Sequence, residues 1–84
     1  MEVEFEGFVV SYEEPPVDIG EDSYSILVDG SIRDMAGNLV HEGYFYVIAP
    51  RKMYGSLDLG VGSPVQGRGE MVVGGGEPVV RMSE

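Results

Sequence analysis

The chain contains no cysteine. That excludes disulfides, thiolate metal sites and cysteine nucleophiles, and it fits a reducing cytoplasm. Nowhere does the sequence approach the roughly 18–20 consecutive apolar residues that a membrane helix needs. The opening residues, Met1-Glu2-Val3-Glu4-Phe5-Glu6, are acidic and alternating, whereas a secretory leader begins basic and continues apolar. The expectation is therefore a cytoplasmic protein with no membrane partner. Positive charge is also scarce: lysine and arginine together number 5, and the one lysine is Lys52. Helical periodicity is hard to find anywhere along the chain. Disorder is excluded in turn, because 43% of the residues are hydrophobic, too many for a chain that cannot collapse.

What is abundant is acid. Fifteen Asp and Glu residues give a formal net charge of −10. A field of that sign repels phosphate backbones and anionic membranes and attracts cations and basic partners. Three readings follow. The acids serve solubility in high intracellular salt, or they form a surface for one basic partner, or this is an ordinary small acidic domain. The acids are spread along the whole chain rather than clustered, which favours the first. In that respect the composition resembles halophilic archaeal proteins, although it is rich in glutamate rather than aspartate.

The length of 84 residues fits one domain, 1–84. Such a chain holds one compact core, without room for a deep enclosed pocket besides. Function is therefore expected on a face or a loop. Glycine and proline punctuate the chain every 8–15 residues, with β-branched and aromatic runs between them, the pattern of short strands joined by turns.

A first strand is predicted over 2–12. Val3, Phe5 and Val9 share one face and Glu2, Glu4 and Glu6 the other. After Gly7 the second face also turns apolar, with Phe8, Val10 and Tyr12, so Gly7 is a candidate bend or bulge. Pro15-Pro16 cannot sit in a ladder, and residues 15–22 read as an acidic loop. A second strand over 23–33 has the clearest period of two: Tyr24, Ile26, Val28 and Ile32, with Gly30 in phase. Asp34-Met35-Ala36-Gly37-Asn38 is a turn. A third strand over 39–48 places Leu39, His41, Gly43, Phe45 and Val47 on one face and Val40, Glu42, Tyr44, Tyr46 and Ile48 on the other. Both faces are partly apolar, so this strand is expected to be central. Residues 51–63 allow a short edge strand or one helical turn. Pro64 opens a further strand, and Gly74-Gly75-Gly76 reads as the turn of a last hairpin returning through Val79 to Met82.

That order of elements resembles the OB fold: a long first strand bent at a glycine, a hairpin across D-x-x-G-N, an irregular connection, and a last hairpin. The segment from Leu59 through Gly60, Pro64 and Gly67 to Val73 is similar to the stretch entering the fourth strand of that fold. The sequence departs from the family in lacking a clear helix between strands three and four. The predicted class is all-β, a small five- to six-stranded antiparallel OB-like barrel, with a small β-sandwich as the alternative.

The resemblance implies a binding face on strands two and three. Tyr44 and Tyr46 would point outward there and could stack on bases, although tyrosines also occupy strands simply because they pack on a pleated surface. Arg33 is the basic residue of the same face. Pro50-Arg51-Lys52-Met53-Tyr54 is the one local concentration of positive charge beside an aromatic, and a solvated turn is the simpler account of it. The candidate ligand-binding residues are thus Tyr44, Tyr46, Arg33, Arg51 and Lys52. Catalysis finds no support: His41 is the single histidine, and its neighbour Glu42 points to the opposite face of the strand. Asp18 to Asp22 lack calcium-loop spacing. The glycines of 60–76 lack the Lys and the following helix of a phosphate loop, and Ser56 and Ser63 lie in no G-x-S-x-G pattern. No metal and no cofactor are expected. The leading expectation is a non-catalytic interaction module acting through a protein partner or as a homo-oligomer. A single-stranded nucleic-acid binder is the rival, disfavoured by charge.

Overall fold

A computed structural model describes residues 1–12, 23–50, 60–73 and 76–82. Five strands are found: β1 (Glu2–Tyr12), β2 (Ser23–Asp34), β3 (Leu39–Pro50), β4 (Pro64–Val72) and β5 (Val79–Met82). They form one closed barrel in the order β1-β2-β3-β5-β4. Order and closure are those of a small OB-like barrel, and they exclude the sandwich. One pairing departs from the antiparallel expectation: β5 runs parallel to β3, with Tyr46 opposite Val79 and Ile48 opposite Arg81. β1 and β3 run the same way because both are antiparallel to β2, β4 opposes β1 and β5 opposes β4, so β5 must run along β3.

Closure rests on β1. From Glu2 to Phe8 it is paired with β4 on one edge, and from Val3 to Tyr12 with β2 on the other. Alternation then assigns the layers. Val3, Phe5 and Val9 of β1, Ile26, Val28 and Ile32 of β2, Phe45 and Val47 of β3, Val65 of β4 and Val80 of β5 fill the interior. Phe5 and Phe45 meet edge to face at 6.0 Å, a favoured aromatic geometry.

The strands can coil this tightly because glycines sit where β1, β2 and β4 approach. Gly7 pairs with Gly30. A Cβ on Gly7 would stand 2.5 Å from the Asp29 carbonyl oxygen, and one on Gly30 would run into the Glu6 backbone. Gly67 lies opposite Phe5, where a Cβ would come 2.9 Å from the ring edge. Gly7 thus serves the close approach of β1 to β2, with unbroken register there and the bulge of β1 lying at Val10 instead, and the missing side chain of Gly67 makes room for the Phe5 ring.

Two bulges interrupt the ladders, and the one in β3 corrects the predicted faces. In β1 the register slips between Val9 and Ser11, which leaves Val10 unpaired. In β3 it slips beside Ile32, which pairs with His41 while Arg33 pairs with Leu39. Val40 is the extra residue there, and a bulge inverts the in-out phase beyond it. Leu39, expected on the core face, is consequently exposed. Val40, expected outside, packs against the core. Ile48 was also placed outside with the tyrosines, yet it is buried. No described segment is a helix long and apolar enough to cross a membrane.

Replacing Gly30 with alanine forces a methyl group against the β1 backbone. Overpacking of this kind costs about 1–3 kcal/mol. Urea denaturation should show a lowered midpoint for Gly30→Ala with an unchanged slope, whereas Gly76→Ala, with nothing within 4 Å of the added methyl group and no positive φ, should lose less.

Candidate functional site

With its interior filled, the barrel presents its chemistry on the outside. Cross-strand register lays out the outward side chains as transverse rows. One row runs Pro64, Phe8, Asp29, Tyr44; the next runs Gln66, Glu6, Ser31, Glu42; a third runs Arg68, Glu4, Arg33. Over Gly7 and Gly30 the outer surface forms a shallow groove of about 790 Å³. Phe8, Pro64, Glu6, Asp29, Ser31 and Glu42 are among the residues that line it. Toward the third row it continues into a smaller hollow of about 480 Å³ that includes Glu4, Arg33 and Arg68.

Its charges are unevenly matched. Arg68 is bound to Glu4, Nη2 to Oε1 at 2.9 Å. The amino terminus of Met1 is bound to Glu70 at 2.8 Å, which relieves the facing carboxylates of Glu2 and Glu70. Arg33 donates through Nη1 to the Gly37 carbonyl oxygen at 3.2 Å. Glu6, Asp29 and Glu42 have no ion-pair partner among the described residues. The apolar part is Phe8, 59% exposed, with Pro64 opposite it. Tyr44, 52% exposed, stands beside Asp29 in the same row.

The structure brings the sequence candidates together only in part. Tyr44 and Tyr46 do share the outer face of β3, as expected, but they are unequal. Tyr44 is open, while Tyr46 is half-buried where β3 meets β5, its amide donating to the Pro78 carbonyl at 3.0 Å. Arg33 lies four residues along β2 from Asp29, the partner of Tyr44, which is roughly 13 Å at about 3.3 Å per residue. It stands in the groove's far end rather than beside the tyrosines. Arg51 and Lys52 lie outside the described residues, as do the acidic loop of 15–22, including Asp18 to Asp22, the ambiguous stretch of 51–59, and Gly74 and Gly75. Sequence reasoning missed Phe8, Glu6 and Asp29 as neighbours in one groove. The available signal was the apolar second face of the first strand beyond Gly7.

His41 sits at the core edge. Its ring meets Phe45 edge to face at 6.2 Å, and its Nε2 lies 2.9 Å from the Tyr44 carbonyl oxygen. A carbonyl can only accept, so Nε2 carries the proton and the ring is held in a structural contact. Among the described residues no group of three or more His, Asp or Glu converges as a metal site would require.

The turn that joins β2 to β3 is organised by Asp34. Its Oδ1 accepts from the amides of Ala36 and Asn38, both at 2.9 Å, and its Oδ2 from Asn38 Nδ2 at 3.3 Å. These bonds, led by the Asn38 amide, hold the Asp34 carboxyl below the ordinary aspartate range, because they favour the ionised form. No protein-family model, no curated protein and no solved structure matches the chain.

The sign of the resulting pH dependence is definite. A carboxyl whose pKa is depressed by folding contributes stability above its unfolded-state pKa and loses it as pH falls through the folded value. Carboxyl-carbon NMR titration should find Asp34 ionising below the ordinary aspartate range. Asp34→Asn should lower stability at pH 7 and remove the Asp34 part of the acid-side loss.

Proposed function

We propose that the chain is a non-catalytic, cytoplasmic interaction module that binds a protein partner across the outer groove of β1 and β2. The observation that carries this is Phe8: a phenylalanine 59% exposed in the lining of a concave face, beside carboxylates without ion-pair partners among the described residues. Burying such a ring stabilises a complex by about 1.5–3 kcal/mol, and aromatic anchors dominate the energetics of protein interfaces. The net charge of −10 makes a second copy a poor occupant, since like-charged surfaces repel within a Debye length. A single-stranded nucleic acid would use Tyr44 for stacking, but Asp29 and Glu42 stand beside it and oppose a phosphate backbone.

A photo-crosslinking residue placed at position 8, with position 70 as a control on the outer face of β4, tests this in cells. A discrete protein adduct from position 8 alone is expected. An adduct at twice the mass of the chain would indicate self-association, and one that collapses on nuclease digestion would indicate the nucleic-acid reading. Equal labelling from both positions, or none from either, would overturn the proposal.

The acid surplus supports a second, independent proposal: adaptation to high salt. The outward positions of β1 carry Glu2, Glu4 and Glu6, and those of β3 and β4 carry Glu42 and Glu70, so the charge is distributed around the barrel. Screening of ordinary repulsion is nearly complete at 1 M salt, where the Debye length is about 3 Å. Denaturation midpoints measured in potassium chloride should therefore keep rising between 1 and 3 M. A plateau below 1 M would identify an ordinary acidic domain.

A further inference from the structure

Resting on the reading of the groove as a protein-binding face, we propose that the row Phe8–Asp29–Tyr44 is a seat for one arginine side chain of the partner. Register places Asp29 directly between the two aromatics, with Phe8 on β1 and Tyr44 on β3. All three are exposed. Neighbouring strands lie about 4.8 Å apart, so the two aromatic residues stand about 10 Å apart at the backbone. That interval accepts one planar group with a ring leaning against each side and a carboxylate beneath it. A guanidinium is planar, stacks on aromatic faces and meets a carboxylate through two parallel N–H donors. An ammonium is a strongly hydrated point charge and uses the arrangement less well.

Charge complementarity points to the same occupant. Glu6 and Glu42 flank Asp29 from the next row and also lack a cationic partner among the described residues. Three of the described cations are engaged elsewhere, Arg68 on Glu4, the amino terminus on Glu70 and Arg33 at the Gly37 carbonyl, and the fourth, Arg81, lies on β5 opposite Glu70, outside the row. Pro64, next to Phe8 on the other side, extends the apolar flank for the aliphatic stem of the incoming side chain.

The test is an NMR titration of the isotope-labelled chain with the capped tripeptide Gly-Arg-Gly at 0.15 M salt. The matching lysine and citrulline peptides serve as comparisons. Amide shifts should concentrate at Phe8, Asp29 and Tyr44. Arginine should bind several-fold more tightly than lysine, and citrulline should not bind. Phe8→Ala and Tyr44→Ala should each weaken binding about two- to fivefold, the range of an exposed cation–π contact. Asp29→Asn should weaken it about five- to tenfold. Glu2→Gln, which removes an equal charge outside the row, should leave it unchanged. Each variant's dispersed spectrum certifies its fold. Shifts scattered over the acids that survive Asp29→Asn would overturn the seat in favour of diffuse attraction, and so would no binding at tens of millimolar. If the seat fails while position 8 still crosslinks a protein, the interaction module stands without it; if both fail, both fall.

Discussion

Everything in this molecule depends on one strand being hydrogen-bonded along both edges. β1 joins β2 on one side and β4 on the other, and a strand can do so in a barrel this small only if it coils sharply. Coiling brings backbones together, and at the Gly7–Gly30 crossing there is no space for a side chain on either residue. The interior that results is sealed by aliphatic side chains around the Phe5–Phe45 contact.

That closure decides what the outside looks like. On the outer surface the groove of β1 and β2 forms over the Gly7–Gly30 pair. The side chains that reach it come from different strands and meet only through register. Phe8 has an outward phase because its neighbours Gly7 and Val9 face inward, and no described layer of the protein covers it. Asp29 joins it in the groove, and Tyr44, outside the groove's lining, continues the same line because β2 and β3 pair in a register that puts it opposite Asp29. An acidic, partly aromatic groove on a filled barrel is chemistry for gripping a cationic surface.

Much of the barrel was legible in the sequence. Glu2 to Glu6 alternating with Val3 and Phe5 reads directly as a half-buried strand, because side chains of a pleated strand point to opposite sides with a period of two. Asp34 to Asn38 reads as a turn because an aspartate can cap the amides that follow it, and its carboxylate does so here. The expectation for Leu39 and Val40 failed at a bulge, whereas Ile48 lies in unbroken register and is buried all the same. One extra residue at Val40 moved Leu39 out and Val40 in, and no local pattern announces where a ladder slips. The direction of β5 was equally hidden. Four residues with no fixed partner can add to either edge, and the parallel contact with β3 is a consequence of closure.

The site was less legible than the fold, for the same reason. By itself the sequence determined the residue types, the alternation that sorts them into inner and outer faces, and the surplus of negative charge; all of these follow from local geometry and composition. Only the tertiary structure decided which outward residues stand side by side. Phe8, Asp29 and Tyr44 are far apart along the chain, and their adjacency exists because backbone hydrogen bonds lock three strands into a single register.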